Sequence, residues 1–159
     1  MRLSLEQVIT QYGSSIYNAA FSLLCRPEDA QDAAQDTLLR YYMSNKEFHT
    51  EEHLRAWLLR TAINRAKDML RSAERRRTCS LEEYADIVPF PVEELRDVFL
   101  AVMSLPELYR PVIHLYYYEE CSVKEVASLL HLTQGAVKTR LRRGRQMLKE
   151  TLKEEWNDE

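Results

Sequence analysis

The chain has 159 residues, of which 45% are hydrophobic, with only three glycines and five prolines and a net charge of −3. Long segments of 3.6-residue periodicity with so few helix breakers argue against a sheet architecture and predict an all-α protein. No apolar run approaches the roughly 20 residues of a membrane span, and the amphipathic amino terminus does not have the pattern of a signal peptide. We therefore expect a cytoplasmic protein with no membrane insertion of its own.

The three cysteines, Cys25, Cys79 and Cys121, lie far apart and in no Cys-x-x-Cys spacing. This arrangement predicts reduced thiols, and it does not favour a disulfide framework or a zinc cluster. We accordingly expect no bound metal ion and no cofactor.

Two helices are predicted before residue 45. The first begins with a capping-box spacing at Ser4 and Gln7, and the second begins at Pro27 with two acidic residues in its first turn. Small and apolar residues form one face of the second helix. Its other face carries Gln31, Asp32, Gln35, Asp36 and Leu39. The pattern alone leaves two interpretations of this face, a solvated strip or a docking surface.

A loop from Asn45 to Glu52 precedes a long helix that is predicted from about His53 to Arg77. Eight basic residues against two acidic ones lie between Arg55 and Arg77. Asn64, Lys67 and Arg71 share an outer face of this helix with Asp68. Cations beside an amide, with the aromatic Trp57, Phe48, Tyr41 and Tyr42 nearby, are typical of single-stranded DNA binding, although Trp57 itself is expected in the core.

The stretch that follows reverses in charge and ends in Pro89-Phe90-Pro91. Six acidic residues against one basic residue lie between Glu82 and Asp97. We interpret residues 76–91 as a flexible acidic linker between two small helical domains, residues 1–75 and 92–159.

The second domain is predicted to begin with an apolar helix face that is broken at Leu105-Pro106. Pro111 lies inside the next helical segment, so it should either kink that helix or confine it to a later start. Beyond it, Ser122 and Glu125 have the spacing of a capping box, and Thr133 is a good N-cap for a second, longer helix.

These last two helices have the spacing of a helix-turn-helix, in which a short helix braces a recognition helix for the major groove. Ala127 is the small residue needed where the helices cross, and Val137 is the β-branched residue ten places later. His131 occupies the turn position where a left-handed conformation is expected and glycine would be easiest.

The recognition helix is basic on every face but one. Leu132 to Lys149 contains six basic residues and no acidic residue, while Val137, Leu141, Gly144, Leu148 and Leu152 form its apolar stripe. Two basic blocks separated by acidic ones suggest two DNA-facing surfaces on one chain.

The motifs, in this order, resemble those of the extracytoplasmic-function sigma factors, a two-domain group within the sigma-70 family of bacterial RNA polymerase initiation factors. Residues 27–40 (PEDAQDAAQDTLLR) and the pattern Trp57, Leu58, Ala62, Asn64, Asp68 and Arg71 resemble region 2 of that family. Residues 105–110 (LPELYR) and 137–145 (VKTRLRRGR) resemble region 4, although Glu120 and His131 stand where the family often has glycine.

The resemblance implies a non-enzymatic protein with no catalytic residue, whose partners are core RNA polymerase, promoter DNA and an anti-sigma factor. It implies that Gln31, Asp32, Gln35, Asp36 and Leu39 dock on the clamp helices of the polymerase β′ subunit, and that the second domain sits on the β flap. By the same resemblance, Asp36→Arg is expected to abolish polymerase binding and leave folding intact.

The resemblance also implies which residues contact the minus-10 element and which contact the minus-35 element. The melted minus-10 element would be bound by Phe48, His49, Asn64, Lys67 and Arg71. At the minus-35 element, Lys138, Thr139, Arg142 and Arg143 would face bases, whereas Arg140 and Arg145 would contact phosphates.

Three alternatives are weighed against this interpretation. His49-Thr-Glu-Glu-His53 matches the H-x-x-E-H spacing of a zinc protease, but it spans a loop and a helix start and has no third-ligand motif. A dimeric helix-turn-helix repressor or activator would read duplex DNA with one domain, and would not need the second basic helix. An anti-sigma-like interaction protein would not need a recognition helix.

Overall fold

A computed structural model describes residues 2–72 and 93–157 of the chain. Within these two ranges all regular structure is α-helical, so the all-α prediction is confirmed. The chain divides into two compact units, Met1–Thr78 and Cys79–Glu159. The predicted linker, residues 76–91, lies outside the described ranges.

The first unit contains three described helices and the second contains four. They are α1 (Leu5–Leu24), α2 (Pro27–Met43), α3 (Glu51–Ser72), α4 (Glu93–Met103), α5 (Arg110–Tyr117), α6 (Val123–Leu130) and α7 (Gln134–Asn157). None of these helices combines the length and the apolar character needed to cross a membrane.

The helix starts follow the signals in the sequence. The Ser4 hydroxyl accepts a hydrogen bond from the Gln7 N–H at 3.2 Å, and the Ser4 N–H donates to the Gln7 side chain at 2.8 Å, which completes the predicted capping box of α1. Helix α2 begins at Pro27, whose fixed φ suits a first turn, with two acidic residues at the positive end of the helix dipole.

Helix α1 ends at Cys25, which has a left-handed conformation with φ of 55°. Cys25 is disulfide-bonded in the structure, so the prediction of three reduced cysteines is wrong at this position. Cys121 is a buried thiol whose sulfur lies 3.9 Å from the carbonyl oxygen of Glu119. The third cysteine, Cys79, lies outside the described residues. Spacing along a sequence detects local cysteine motifs, and it cannot detect a bond between distant residues.

The core of the first unit is formed where α1, α2 and α3 pack on one another. Its buried members come from all three helices and from the loop before α3: Val8, Ile16, Ala34, Tyr41, Phe48, Leu54, Leu58 and Ala62. Helix α2 contributes the small side chain of Ala34 to this cluster, together with the ring of Tyr41. Leu38 and Trp57 are partly buried and pack against its edges. Trp57 is thus a core-edge residue, as the sequence led us to expect.

In the second unit, α5 begins at Arg110 and holds Pro111 in its first turn. Of the two outcomes predicted for Pro111, the later start is therefore observed, because a first-turn proline loses no helical hydrogen bond. Arg110 is buried, its Nη1 donates to the Leu105 carbonyl at 3.4 Å, and burial lowers the pKa of its guanidinium. This contact joins the end of α4 to the start of α5.

Helix α7 approaches α5 most closely at Gly144, which is buried. A Cβ atom at this position would lie 2.8 Å from Cγ1 and 2.9 Å from Cδ1 of Ile113, and 3.5 Å from Cβ of Tyr109. A Cβ at position 144 would therefore force the buried Ile113 side chain to shift. Gly144 therefore sets the separation of the two helices.

We expect Gly144→Ala to destabilise the second unit by about 1–3 kcal/mol, the usual penalty for adding a methyl group to a well-packed core. Differential scanning calorimetry of the full chain would show a lower melting temperature for the transition of this unit.

Gly135→Ala is the matched control, since its added Cβ would meet nothing closer than 4.0 Å. Because alanine favours helix, this variant should be neutral or slightly stabilising. A Gly144→Ala protein as stable as the Gly135→Ala protein would contradict the close approach of α5 and α7.

Candidate nucleic-acid interface

The helix-turn-helix is made by α6 and α7. Ser122 caps α6, because its hydroxyl accepts from the Glu125 N–H at 3.1 Å and its own N–H donates to the Glu125 carboxylate at 3.1 Å. Val126 and Ala127 on α6 are buried, as is Val137 on α7. The bracing contact between the two helices therefore uses the residues that their spacing identified.

The turn between the helices is formed as predicted. His131 is in the left-handed region with φ of 56° and ψ of 47°, and its N–H donates to the Ala127 carbonyl. The Thr133 hydroxyl accepts from the Ala136 N–H at 3.0 Å, which caps the start of α7. Glu120, just before α6, also has a positive φ, of 54°. His131 and Glu120, which occupy positions where the similar family often has glycine, thus both adopt the left-handed conformation that glycine adopts most easily.

The outer face of α7 carries most of the predicted minus-35 residues. Arg142 and Arg143 lie three and four residues after Thr139, with Lys138 beside Thr139, and all but the half-buried Thr139 are exposed. Gln146 continues the same face and is exposed, and we did not identify it from the sequence. Gln146 lies three residues after Arg143 and four residues after Arg142, so helical spacing could have identified it.

Arg140 and Arg145 lie on the two flanks of this face. Arg140 is half-buried, and Arg145 donates from Nη1 to the Tyr117 hydroxyl of α5 at 3.0 Å. This hydrogen bond directs the Arg145 guanidinium towards α5.

The predicted docking residues of α2 share one face. Gln31, Asp32 and Gln35 are exposed, Asp36 is half-buried, and the Leu39 side chain is 54% exposed. The same face extends to Tyr42 and Met43, which are 65% and 72% exposed. These two residues were not assigned to docking from the sequence, although spacings of three and four from Leu39 place them there. An acidic strip with large apolar residues at one end is typical of a protein-binding surface.

Asp36 has a partner within the unit. Its carboxylate accepts from Nε of Arg65 on α3 at 2.6 Å, with both side chains about one-third to two-fifths exposed. An arginine at position 36 would face Arg65, so Asp36→Arg would alter the packing of α2 on α3. The expectation that this substitution leaves folding intact is therefore not supported by the structure.

Phe48 is a core residue in the loop between α2 and α3. Its side chain is 1% exposed, and its ring lies 5.7 Å from that of Trp57 and 6.2 Å from that of Tyr41. The prediction that Phe48 contacts DNA is wrong for this conformation, because an aromatic ring in this position buries more apolar area inside the unit than on its surface. His49, by contrast, is exposed.

Three of the predicted minus-10 residues lie on the outer face of α3. Asn64 and Arg71 are exposed and Lys67 is half-buried. Partial burial, and then the nearby Arg71, lower the pKa of Lys67. Arg60 is exposed four residues before Asn64 and was missed, although the helical spacing was available. Arg71 also pairs with the Asp68 carboxylate on the same helix.

The five predicted minus-10 residues do not form one compact site. His49 stacks on His53 in the first turn of α3, with ring centroids 6.1 Å apart. Asn64 follows eleven residues later, about 16 Å along the helix axis, and Arg71 lies about 10 Å beyond it. The structure thus distributes these residues along a helix, an arrangement suited to an extended polymer.

The H-x-x-E-H spacing does not make a zinc-binding helix. His49 lies in the loop, and α3 begins only at Glu51, so the two histidines do not occupy one helix face. Across residues 2–72 and 93–157, no group of three histidine, cysteine or carboxylate side chains is placed to hold a metal ion.

Comparison with known protein families gives two matches that together span most of the chain. Residues 8–76 match the sigma-70 region 2 family, and residues 95–148 match sigma-70 region 4.

The ECF RNA polymerase sigma factor SigW of Bacillus subtilis is 30% identical over 92% of this chain and 88% of its own length. SigM of the same organism, also an ECF sigma factor, is 26% identical over 99% of this chain and all of its own length. The sigma factor RpoE of Bartonella quintana, solved with the anti-sigma factor NepR, is 24% identical, covers 93% of this chain and 96% of its own, and has a TM-score of 0.68.

The chain belongs to the extracytoplasmic-function group of the sigma-70 family, and as such it is an RNA polymerase sigma factor. The resemblance inferred from the motifs is confirmed. The matches place the chain with initiation factors and give no support to a dimeric repressor.

The left-handed His131 generates a prediction for the helix-turn-helix. We expect His131→Gly to stabilise the second unit by about 0.5–1 kcal/mol. A residue with a Cβ is strained in the left-handed region, and glycine removes this strain, although its more flexible unfolded chain offsets part of the gain. Calorimetry would show a melting temperature a few degrees higher.

His131→Ala is the matched control, since it removes the imidazole and keeps the Cβ. This variant should leave the melting temperature unchanged or lower it. An equal gain from alanine and glycine would show that the imidazole, and not the backbone conformation, limits stability.

Proposed function

We propose that this chain binds core RNA polymerase in the cytoplasm through its first unit and directs initiation at promoters that its two units read separately. The observation that carries the proposal is the pairing of a helix-turn-helix, whose recognition helix has no acidic residue before Glu150, with a second cationic helix in the other unit. The chain contributes no catalytic residue of its own in this proposal, because the polymerase catalyses RNA synthesis.

The docking face on α2 is proposed to bind the clamp helices of the β′ subunit. Gln31, Asp32 and Gln35 supply acceptors and donors for a polar partner surface, and Leu39, Tyr42 and Met43 supply the apolar area that a stable interface requires. Asp36 orients α2 against α3 through Arg65, and its remaining exposed oxygen is available to the same partner.

The outer face of α7 is proposed to read the minus-35 element in the major groove. Arg142 and Arg143 can each donate two hydrogen bonds to a guanine edge, and Thr139 and Gln146 can contact other bases. Lys138 is proposed to face bases with them, whereas Arg140 and Arg145 are proposed to contact phosphates, where they fix register but carry no sequence information.

The loop before α3 and the cationic face of α3 are proposed to hold the melted minus-10 strand. Asn64, Lys67 and Arg71, with Arg60, form a row of donors that follows the helix and suits an extended backbone. His49 and the exposed loop residues beside it are proposed to contact bases, whereas Phe48 anchors the loop from inside.

The second unit also contains an apolar groove of about 350 Å³ between α4, α5 and α7. Its lining residues are Val98, Val102, Ile113, Tyr117, Tyr118, Arg145, Leu148, Lys149 and Leu152. We propose that this groove receives the β flap of the polymerase. The RpoE relative was solved with an anti-sigma factor, and we propose that an anti-sigma factor also regulates this chain.

Docking through α2 is tested by Asp32→Arg. Reversing an exposed charge at the centre of the face should weaken core binding by about tenfold or more, because a like charge placed against the partner surface costs several kcal/mol. The melting temperature of the first unit should stay the same. Fluorescence anisotropy with labelled protein and purified core polymerase measures the affinity.

Glu6→Arg makes the same charge reversal at an exposed site on α1 and should bind core normally. Equal affinities for the two variants would rule out the α2 face as the docking surface.

Promoter recognition is tested by run-off transcription on fragmented genomic DNA from the source organism, with core polymerase alone and with core plus this protein. We expect discrete new start sites that share two upstream sequence elements. An absence of new starts, together with dimeric binding of the protein to duplex DNA, would refute initiation and favour a repressor.

Arg143→Ala in the same assay should reduce transcription from promoters with the wild-type minus-35 element and relax the preference at one base pair, by about 1–3 kcal/mol. Arg145→Ala should weaken all promoters alike, since its proposed contact is with phosphate. An unchanged minus-35 preference in Arg143→Ala would remove this residue from the reading surface.

A further inference from the structure

The segment before α1 is tied to the loop between α2 and α3. Arg2 donates from Nη2 to the Tyr41 carbonyl at 2.8 Å and, more weakly, to the Tyr42 carbonyl at 3.5 Å. Its Nη1 donates to the Lys46 carbonyl at 3.1 Å. One guanidinium thus connects the last turn of α2 to the middle of the loop that follows, across about 40 residues of sequence.

The Arg2 guanidinium adds a second donor at the end of α2, where the Tyr41 carbonyl already accepts from the Ser44 N–H at 3.2 Å. The last carbonyls of a helix carry the negative end of its dipole, so a cation at this end is favourable. Arginine suits the position better than lysine does, because its planar fork can reach two carbonyl groups at once in a fixed geometry. These are the carbonyls of Tyr41, in the last turn of α2, and of Lys46, in the loop.

Tyr41 strengthens the same connection. The Arg2 guanidinium carbon lies 4.7 Å from the centroid of the Tyr41 ring, within the range of a cation–π contact. The Tyr41 hydroxyl donates to the Leu3 carbonyl. On its other side the Tyr41 ring packs against Phe48 and Trp57, with centroid distances of 6.2 Å and 6.4 Å. The loop is therefore held from inside by aromatic rings and from outside by residues 2 and 3.

Between these two attachments the loop presents a row of exposed side chains. Asn45, Lys46, Glu47 and His49 are all exposed, while Phe48 between them is buried. We propose that Arg2 is a positioning residue for minus-10 recognition, which fixes the loop backbone so that these side chains meet unstacked bases in a preformed arrangement. The inference rests on the proposed function, because it assumes that this loop reads the minus-10 strand.

The proposed effect of Arg2 on DNA recognition can be distinguished from an effect on the stability of the core. Arg2 is exposed, so its removal should cost the unit little stability, whereas the buried Phe48 holds both the loop and the core. An unfixed loop must be ordered when DNA binds, and this ordering entropy weakens binding and reduces discrimination between bases. Loss of Arg2 should therefore impair reading without unfolding the unit.

The test uses the full chain bound to core polymerase and a fluorescent single-stranded oligonucleotide with the minus-10 element found by mapping start sites. A second oligonucleotide with one central base changed gives the discrimination ratio. Arg2→Ala should lower this ratio by about two- to tenfold, the range that corresponds to the cost of ordering one released group on binding. Core affinity and the melting temperature of the first unit should be unchanged.

Arg2→Lys distinguishes positioning from a direct charge effect on DNA. Lysine keeps the charge and loses the planar fork, so discrimination should stay reduced if Arg2 positions the loop; full recovery with lysine would overturn the proposal. Tyr41→Phe removes only the hydroxyl that holds Leu3, and it should lower the ratio in the same direction. Lys153→Ala removes one exposed cation from the other unit and should behave as wild type.

The outcomes separate this inference from the proposed function. If the wild-type protein does not distinguish the two oligonucleotides, the assignment of the loop to the minus-10 strand fails. If wild type distinguishes them and Arg2→Ala does so equally well, the positioning role of Arg2 fails. A fall in discrimination that is matched by a fall in melting temperature in Arg2→Ala would show that the residue is only structural.

Discussion

The second unit depends on the packing of one apolar stripe, because α7 cannot be stabilised by its own charges. From Leu132 to Lys149 the helix has six basic residues and no acidic partner, so its side chains repel one another at spacings of three and four. Helicity must therefore come from the buried face. Val137 and Leu141 are buried, and Gly144 allows α5 to approach closely. With the inner face committed to packing, every cation is left on the outer face or its flanks, where phosphate can neutralise the repulsion.

The turns of the helix-turn-helix were predictable because they depend on local chemistry. A capping box, a threonine N-cap and a left-handed residue are each specified within four residues, so sequence spacing determines them. His131 and Glu120 both adopt a left-handed conformation although neither is glycine. For the same reason the helix starts at Ser4, Pro27 and Ser122 could be read directly, and the periodicity of the segments between them determined which faces are buried.

The features that could not be predicted all involve partners that are distant in sequence. Phe48 has the composition of a stacking residue, and only the positions of Tyr41 and Trp57 show that its ring is buried. The pairing of Asp36 with Arg65 joins residues 29 positions apart on different helices, and it changes Asp36 from a docking residue into one that also supports the fold. Tyr42, Met43, Arg60 and Gln146 are different, because each continues a helical face that was already recognised, and spacing would have found them.

The carboxyl end of α2 is where the proposed docking and reading surfaces meet. Leu39, Tyr42 and Met43 are exposed on the docking face, and the carbonyl groups of Tyr41 and Tyr42 accept the hydrogen bonds from Arg2 that fix the loop. A partner bound to α2 would reduce fraying of its last turn, and this would stabilise the same carbonyl positions. By linkage, a loop ordered by docking at the proposed surface would bind its DNA strand more tightly, and bound DNA would strengthen docking by the same factor. The proposed docking and reading surfaces are thus joined by one helix turn and one guanidinium.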